Sequence, residues 1–229
     1  MDKQSPILVI GAGSIGERHI NNLLRLGYTN VHVLRRNNLP MRTVDPKAVH
    51  IHVSPDHIQA GDHVCAIICN PTAMHAESVT WCLQRGMHVL AEKPLSHTTE
   101  QLDTITRLAT GSNLVVQVAY MMRYHPHLLT VEQIIQDKRM GELLHMDTYW
   151  GSFLPDWHPW EDHRTSYVAL RSLGGGAALT LSHDLDIVNW LAQSPMSAYH
   201  KTYGYADILQ IETEAIKNPM VLHCTINIV

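Results

Sequence analysis

Six residues offer the clearest chemistry in this chain: Gly11-Ala12-Gly13-Ser14-Ile15-Gly16, placed directly after the apolar run Ile7–Ile10 and directly before Glu17–Gly27. A GxGxxG between a strand and a helix is built to hold a dinucleotide. Gly11 permits the tight turn, Gly13 lets the backbone approach a pyrophosphate, and Gly16 lets the helix pack on the strand. The N-terminus of the helix that follows, with its free N–H groups and partial positive charge, then holds the phosphates. The motif alone is weak and its context gives it meaning; the alternative is a glycine turn in an unrelated α/β protein. The next apolar run, Val31-His32-Val33-Leu34, ends in Arg35-Arg36. A carboxylate at that place bonds a ribose 2′-hydroxyl, whereas guanidinium groups suit a 2′-phosphate. NADP(H) is therefore favoured, with NAD(H) the alternative, and both arginines could equally be surface charges.

Further along, Ala91-Glu92-Lys93-Pro94 follows the strand-like His88-Val89-Leu90-Ala91. Open α/β sheets bind ligands beyond the carboxyl ends of their strands. A lysine there can donate a hydrogen bond to a substrate oxygen beside a nicotinamide. Out of context Lys93 reads as a solvated lysine, and Pro94 as a turn residue. The four cysteines, Cys65, Cys69, Cys82 and Cys224, form no CxxC pair, and Cys65 and Cys69 lie in a buried-strand pattern. No disulfide is expected. The 17 histidines are scattered without HExxH or Cys/His ligand spacing, so they read as ordinary polar side chains and no metal site is expected.

These residues need a scaffold, and the chain's pattern supplies one. Strand-like runs at 7–10, 31–34, 49–53, 64–69, 88–91 and 114–119 alternate with helical patterns at 17–27, 74–85 and from Thr98 or Thr99 to Ala109. Alternation of this kind means βαβ units and a mainly parallel sheet. After Tyr120 the texture changes. A helix from Pro126 leads toward Gly141, and an alternating strand runs from Leu143 to Gly151. An irregular stretch at 154–172 follows, and Gly174-Gly175-Gly176 opens an apolar helix to Leu191. The rest, from Ser197, reads as strands with turns at Gly204 and Asn218-Pro219. The boundary is set at residue 120, giving domains 1–120 and 121–229. With 229 residues, 45% hydrophobic and 17% charged, the chain can fill a core and is not disordered. Its 17 basic and 21 acidic residues give a net charge of −4, against a nucleic-acid binder. No secretory signal or membrane span is read, so the expectation is a cytoplasmic protein.

Gly11 to Gly16, Asn70-Pro71 with His75, Glu92-Lys93-Pro94, and a glycine-rich helix start followed by His183 together resemble the Gfo/Idh/MocA oxidoreductases. The resemblance covers essentially the whole chain. It implies a Rossmann domain followed by an α/β domain with an open, mostly antiparallel sheet. It also implies a nicotinamide cofactor, a sugar-like or cyclitol substrate, and homo-oligomers formed through that sheet. Gly151 to Trp157, Arg164, Ser166-Tyr167 and Gly174 to Asp186 look like a branch linked to surface-polysaccharide and nonulosonic-acid sugar biosynthesis. Carried over by resemblance, Lys93 and His183 are the catalytic pair. Gly11, Gly13, Ser14, Ile15, Gly16, Arg35, Arg36, Asn70, Pro71, His75, Glu92 and Lys93 face the cofactor. Tyr120, Arg123, Tyr124, Trp157, Arg164, Tyr167 and Asp184 face the substrate, although the loop residues could equally be packing. The family often places an aspartate one turn before the histidine; Leu179 and Thr180 stand there instead.

That missing carboxylate opens a second reading, a dinucleotide-binding regulator without turnover. The alternating run Val221–Val229 closes the sequence without a turn, where family members continue with more strands. The expectation is a complete Rossmann half and a reduced second sheet. Its last strand should be an unpaired edge, paired with another subunit or partly unprotected, unless the sequence is a fragment of a longer product.

Overall fold

In a computed structural model, residues 1–36, 40–143, 145–152, 156–157, 162–192, 197–203, 206–212 and 221–228 are described. The chain divides into two compact units, Met1–Ala119 and Tyr120–Val229. The first is a six-stranded parallel sheet, ordered β3-β2-β1-β4-β5-β6. Its strands are β1 (Ile7–Ile10), β2 (Val31–Leu34), β3 (His50–His52), β4 (Cys65–Ile68), β5 (His88–Ala91) and β6 (Val116–Val118). Helices α1 (Ser14–Arg25), α2 (His75–Leu83) and α3 (Leu102–Gly111) complete it. This order is that of the doubly wound dinucleotide-binding sheet, which reverses direction between β1 and β4. Open sheets of this kind bind their ligands at that point, beyond the carboxyl ends of the strands.

Alternation along β1 explains why the layers form. Leu8 and Ile10 pack with Ile68, Val79 and Ile105, on the face covered by α2 and α3. Ile7 and Val9 pack with Ile20, Val31 and Val33, on the face covered by α1. A strand buried on both faces must be apolar at every position, and all of β1 is buried.

Glu17, one residue past the last motif glycine, is a buried exception. Its carboxylate accepts from the backbone N–H of Arg42 at 3.0 Å, and from the N–H and hydroxyl of Thr43 at 2.6 and 2.7 Å. It therefore ties the chain beyond β2 to the start of α1.

The second unit comprises α4 (Pro126–Gln136), β7 (His145–Ser152), α5 (Ala177–Thr180), α6 (Ser182–Ala192), β8 (Ser197–Tyr203), β9 (Ala206–Glu212) and β10 (Val221–Ile228). Its four-stranded sheet is ordered β7-β10-β9-β8. β8/β9 and β9/β10 are antiparallel and β10/β7 is parallel. The expected unpaired edge at β10 is corrected here. This strand is interior, pairing from Val221↔His145 to Ile228↔Ser152 on one side and through Ile226↔Leu209 on the other. The edges are β7 and β8. The expected turns at Gly204 and Asn218-Pro219 lie outside the described residues.

The single apolar helix expected after the triple glycine is also corrected. Gly174 takes a left-handed conformation (φ 80°), and a side chain at Gly175 would meet the carbonyls of Tyr167 and Val168 at 2.5 Å. The glycines thus form a packed loop. Leu181 then leaves helical geometry (φ −102°, ψ 26°) and is buried with Ala177 and Val188, which splits the segment into α5 and α6. No helix among the described residues is long and apolar enough to cross a membrane.

Burial alone would raise the Glu17 carboxyl, but the hydrogen bonds from Thr43 and Arg42 hold it net below its ordinary 4.5. A lowered folded value gives stability that is present above pH 4.5 and lost as the pH falls through the folded value. Glu17→Gln should therefore lose about 1–3 kcal/mol at neutral pH, with a smaller deficit in acid. Thermal unfolding of both proteins between neutral pH and the acid limit checks this. Equal stability at neutral pH would remove Glu17 from its anchoring role.

Candidate active site

The glycine loop is built by close approach. A side chain at Gly16 would fall far inside contact with the Gly11 carbonyl, and one at Gly11 would meet Cys69 and the Asn70 nitrogen at 2.8 Å. Gly11 also has φ 96°, a left-handed value that glycine adopts without strain. At Gly13 the situation reverses, since a side chain there would meet nothing within 4 Å. Gly13 caps α1 without a side-chain hydrogen bond, and Ser14 and Ile15 follow in the first turn. The loop therefore presents bare backbone and a helix N-terminus to open space, the arrangement that receives a pyrophosphate.

Beside the glycine loop lie the residues after β4, and next to them those after β5. Asn70 donates from Nδ2 to the Ser78 hydroxyl at 2.8 Å, while its buried Oδ1 has no partner among the described residues. That orphaned acceptor beside the glycine loop fits a dinucleotide hydroxyl. Pro71 caps the short 3-10 turn that leads into α2. His75 is 2% exposed, with Nδ1 2.7 Å from the Pro94 carbonyl and Nε2 2.8 Å from the Asn70 carbonyl. Burial lowers its pKa, against the pull of both carbonyls and of Glu92. The ring thus sits between the two loops, donating its one N–H to one of these carbonyls.

Glu92 and Lys93 occupy the end of β5, and the Lys93–Pro94 peptide is cis. His19, on α1, donates to Glu92 Oε1 at 2.8 Å. Burial would raise the Glu92 carboxyl, but the His19 hydrogen bond, with Lys93 adding to it, brings it net below its ordinary range. Burial likewise lowers Lys93, opposed by the adjacent Glu92 charge. The pair is therefore a half-buried carboxylate and a half-buried lysine that gives up its proton more readily than usual.

Arg35 follows β2, donating its backbone N–H to the His52 carbonyl at 3.0 Å, and Arg36 is exposed. A third arginine was not read from the sequence: Arg42 reaches Ser14 Oγ at 2.6 Å, which places its guanidinium at the start of α1. His19 was missed as well. Neither belongs to a motif, and each is brought in by the fold from outside the short spans that spacing can inspect.

In the second unit, Tyr120 meets His183 edge-on, with ring centroids 5.9 Å apart. Burial pushes the Tyr120 phenol up. Arg123 forks onto Asp186, Nε to Oδ2 at 2.8 Å and Nη2 to Oδ1 at 2.7 Å, so its guanidinium is held by the helix that bears His183. A shallow cleft is lined by Tyr120, Leu185, Asp186 and Asn189. Asp184 is buried, its carboxyl is raised by burial, and its Oδ2 has no partner among the described residues. Leu179 is partly buried and Thr180 buried, so neither brings a carboxylate toward His183. Trp157 packs on Ala177, Leu181 and Val188, as core. Arg164 is 78% exposed and pairs with its neighbour Asp162. Tyr124 and Tyr167 are exposed.

Comparison with known proteins gives the same picture. Residues 6–120 match the model of an oxidoreductase family with an NAD-binding Rossmann fold, Gfo/Idh/MocA. Inositol 2-dehydrogenase 2 of Paenarthrobacter aurescens is 28% identical over 202 residues, covering 82% of this chain and 56% of that protein. The dTDP-3,4-didehydro-2,6-dideoxy-α-D-glucose 3-reductase of Saccharopolyspora spinosa is 33% identical over 112 residues, covering 48% of this chain and 31% of that protein. The crystal structure of myo-inositol 2-dehydrogenase from Lactobacillus plantarum superposes with a TM-score of 0.80 at 19% identity, covering 98% of this chain and 69% of that one. The chain thus spans 56% and 31% of the two curated relatives. The family model covers half of the sequence, and within it lie the glycine cradle, the orphaned Asn70 acceptor and the half-buried Glu92-Lys93 pair. On these grounds the chain belongs to the Gfo/Idh/MocA oxidoreductase family, with its NAD-binding Rossmann fold.

Proposed function

We propose that this protein is an NAD(P)-dependent oxidoreductase acting on a CH–OH carbon of a sugar, nucleotide sugar or cyclitol. The observation that carries the reading is the glycine cradle, open at Gly13 and faced by the orphaned Asn70 acceptor. A bound nicotinamide supplies or accepts the hydride. The N–H groups at the start of α1 hold the pyrophosphate, and Asn70 Oδ1 accepts from a hydroxyl of the dinucleotide. Lys93 donates a hydrogen bond to the reacting oxygen and stabilises charge that develops on it. His183 exchanges the proton of that oxygen, a task suited to an imidazole at neutral pH. The relatives named for inositol and for a dTDP-sugar favour a polyhydroxylated substrate. The cleft beside Tyr120 and Asp186 offers polar groups for it. Association of copies through β7 or β8, the edges of the second sheet, completes the proposal.

For the cofactor, Arg35, Arg36 and Arg42 place guanidinium groups at or near the loop beyond β2, which suits a 2′-phosphate. NADP(H) should bind more tightly than NAD(H) by calorimetry, and replacing Arg35 and Arg36 with alanine should weaken NADP(H) selectively. Equal affinity for the two dinucleotides in the native protein would contradict this.

For the chemistry, Lys93→Met should lower turnover on an identified polyol or nucleotide sugar on the order of a hundredfold, with dinucleotide affinity nearly unchanged. Because burial lowers Lys93, the native rate should fall on the alkaline side at a pH below 10.5, and this limb should vanish in the variant. Reduced-nicotinamide absorbance across a pH series reads both. A variant with native rates and the native alkaline limb would take the role from Lys93.

A further inference from the structure

The histidines that look scattered in the sequence are partly gathered by the fold. In β2, Val31 and Val33 face the α1 layer, so His32 points to the opposite face, level with Leu8. His32 pairs with His50 across β2/β3, and His52 lies two residues on, at the end of β3 and on the same face. His63 comes from the loop that covers this end of the sheet, which also buries Ile58. One ring nitrogen from each of His32, His52 and His63 lies within 4.8 Å of the others. His63 is 4% exposed, and neither of its ring nitrogens has a partner among the described residues. A buried imidazole with two unanswered nitrogens is costly unless something occupies the space before it.

We propose that His32, His52 and His63 form a structural zinc site that clips β2 and the edge strand β3 to the loop ahead of β4. The tautomers agree with it. Asn30 donates its amide nitrogen to the Gln4 carbonyl at 3.2 Å, which turns Asn30 Oδ1 toward His32 Nε2 at 2.9 Å. His32 Nε2 therefore carries the proton, and Nδ1 offers a lone pair toward His52 Nε2, 2.9 Å away. A ligating imidazole commonly donates its other N–H to an oxygen in this way, which fixes ring and tautomer. Tetrahedral zinc needs ligand nitrogens about 3.4 Å apart, so the three rings reach it by small side-chain rotations. The metal would replace the His32–His52 contact and take His63 as its third ligand. Water or His50, whose ring centroid is 4.7 Å from that of His32, completes the shell.

The test uses the full chain, stripped with chelator and titrated with Zn²⁺ against a chromophoric competitor. The expected result is one tight site, a higher melting temperature with zinc, and X-ray absorption showing at least three imidazole nitrogens at about 2.0–2.1 Å. His52→Ala and His63→Ala should each weaken zinc a hundredfold or more. Replacing both His125 and His127, an exposed pair with ring centroids 5.3 Å apart, should change nothing. If His63→Ala fails to fold, His52→Ala and the absorption spectrum of the native protein decide. Loss of zinc on replacing His125 and His127, fewer than three imidazoles, or zinc binding that does not raise the melting temperature would overturn the proposal.

Discussion

The contact on which the rest of the first unit depends is the approach of Gly16 to the Gly11 carbonyl, too close for any side chain. It brings the first turn of α1 against the end of β1, at the point where the sheet reverses. A methyl group there would push the helix off the sheet and break the packing of Ile20 with Val9 and Val33. It would also shift Glu17 and His19, which sit one and three residues further along the same helix. Through Glu17 the helix holds the chain carrying Arg42, and through His19 it holds Glu92 beside Lys93. One steric constraint thus sets the phosphate cradle, the arginines near it and the lysine at the end of β5.

Each unit holds charge in complementary pairs. Glu92 is kept ionised by His19 and in turn favours the charged form of Lys93, against burial that disfavours both. In the second unit, Arg123 and Asp186 form a two-pronged pair on the helix that carries His183. Removing one partner from such a pair leaves the other charge uncompensated, so these residues are positioned as much by electrostatics as by packing. Asp184 differs, since its buried carboxyl has an unanswered oxygen and a raised pKa.

Much of the first unit was legible because its signals are local. Ile7–Ile10 is apolar at every position, the glycines follow at fixed offsets, and Lys93 stands directly after a recognisable strand. What escaped were relations made by the fold. His19 and Arg42 reach their partners from separate segments, and His32, His52 and His63 share no ligand spacing although β2 and β3 carry two of them on one face of the sheet. The second unit misled the reading for related reasons. A triple glycine before an apolar run suits a helix start, but Gly175 is needed for contact with the Tyr167 and Val168 carbonyls. β10 has the alternation of an edge strand, yet its place between β7 and β9 is a matter of long-range pairing that no local pattern encodes.

The central claim is that the open space before Gly13 receives the pyrophosphate. Gly13 has φ −78° and ψ −169°, an extended conformation open to any residue, with nothing within 4 Å of a side chain placed there. Calorimetric titration of Gly13→Val with NAD(H) and NADP(H), beside its thermal unfolding, tests this directly. The account predicts a melting temperature within about 4 °C of the native protein, with dinucleotide affinity lost. A folded variant that binds either dinucleotide as tightly as the native protein would contradict it.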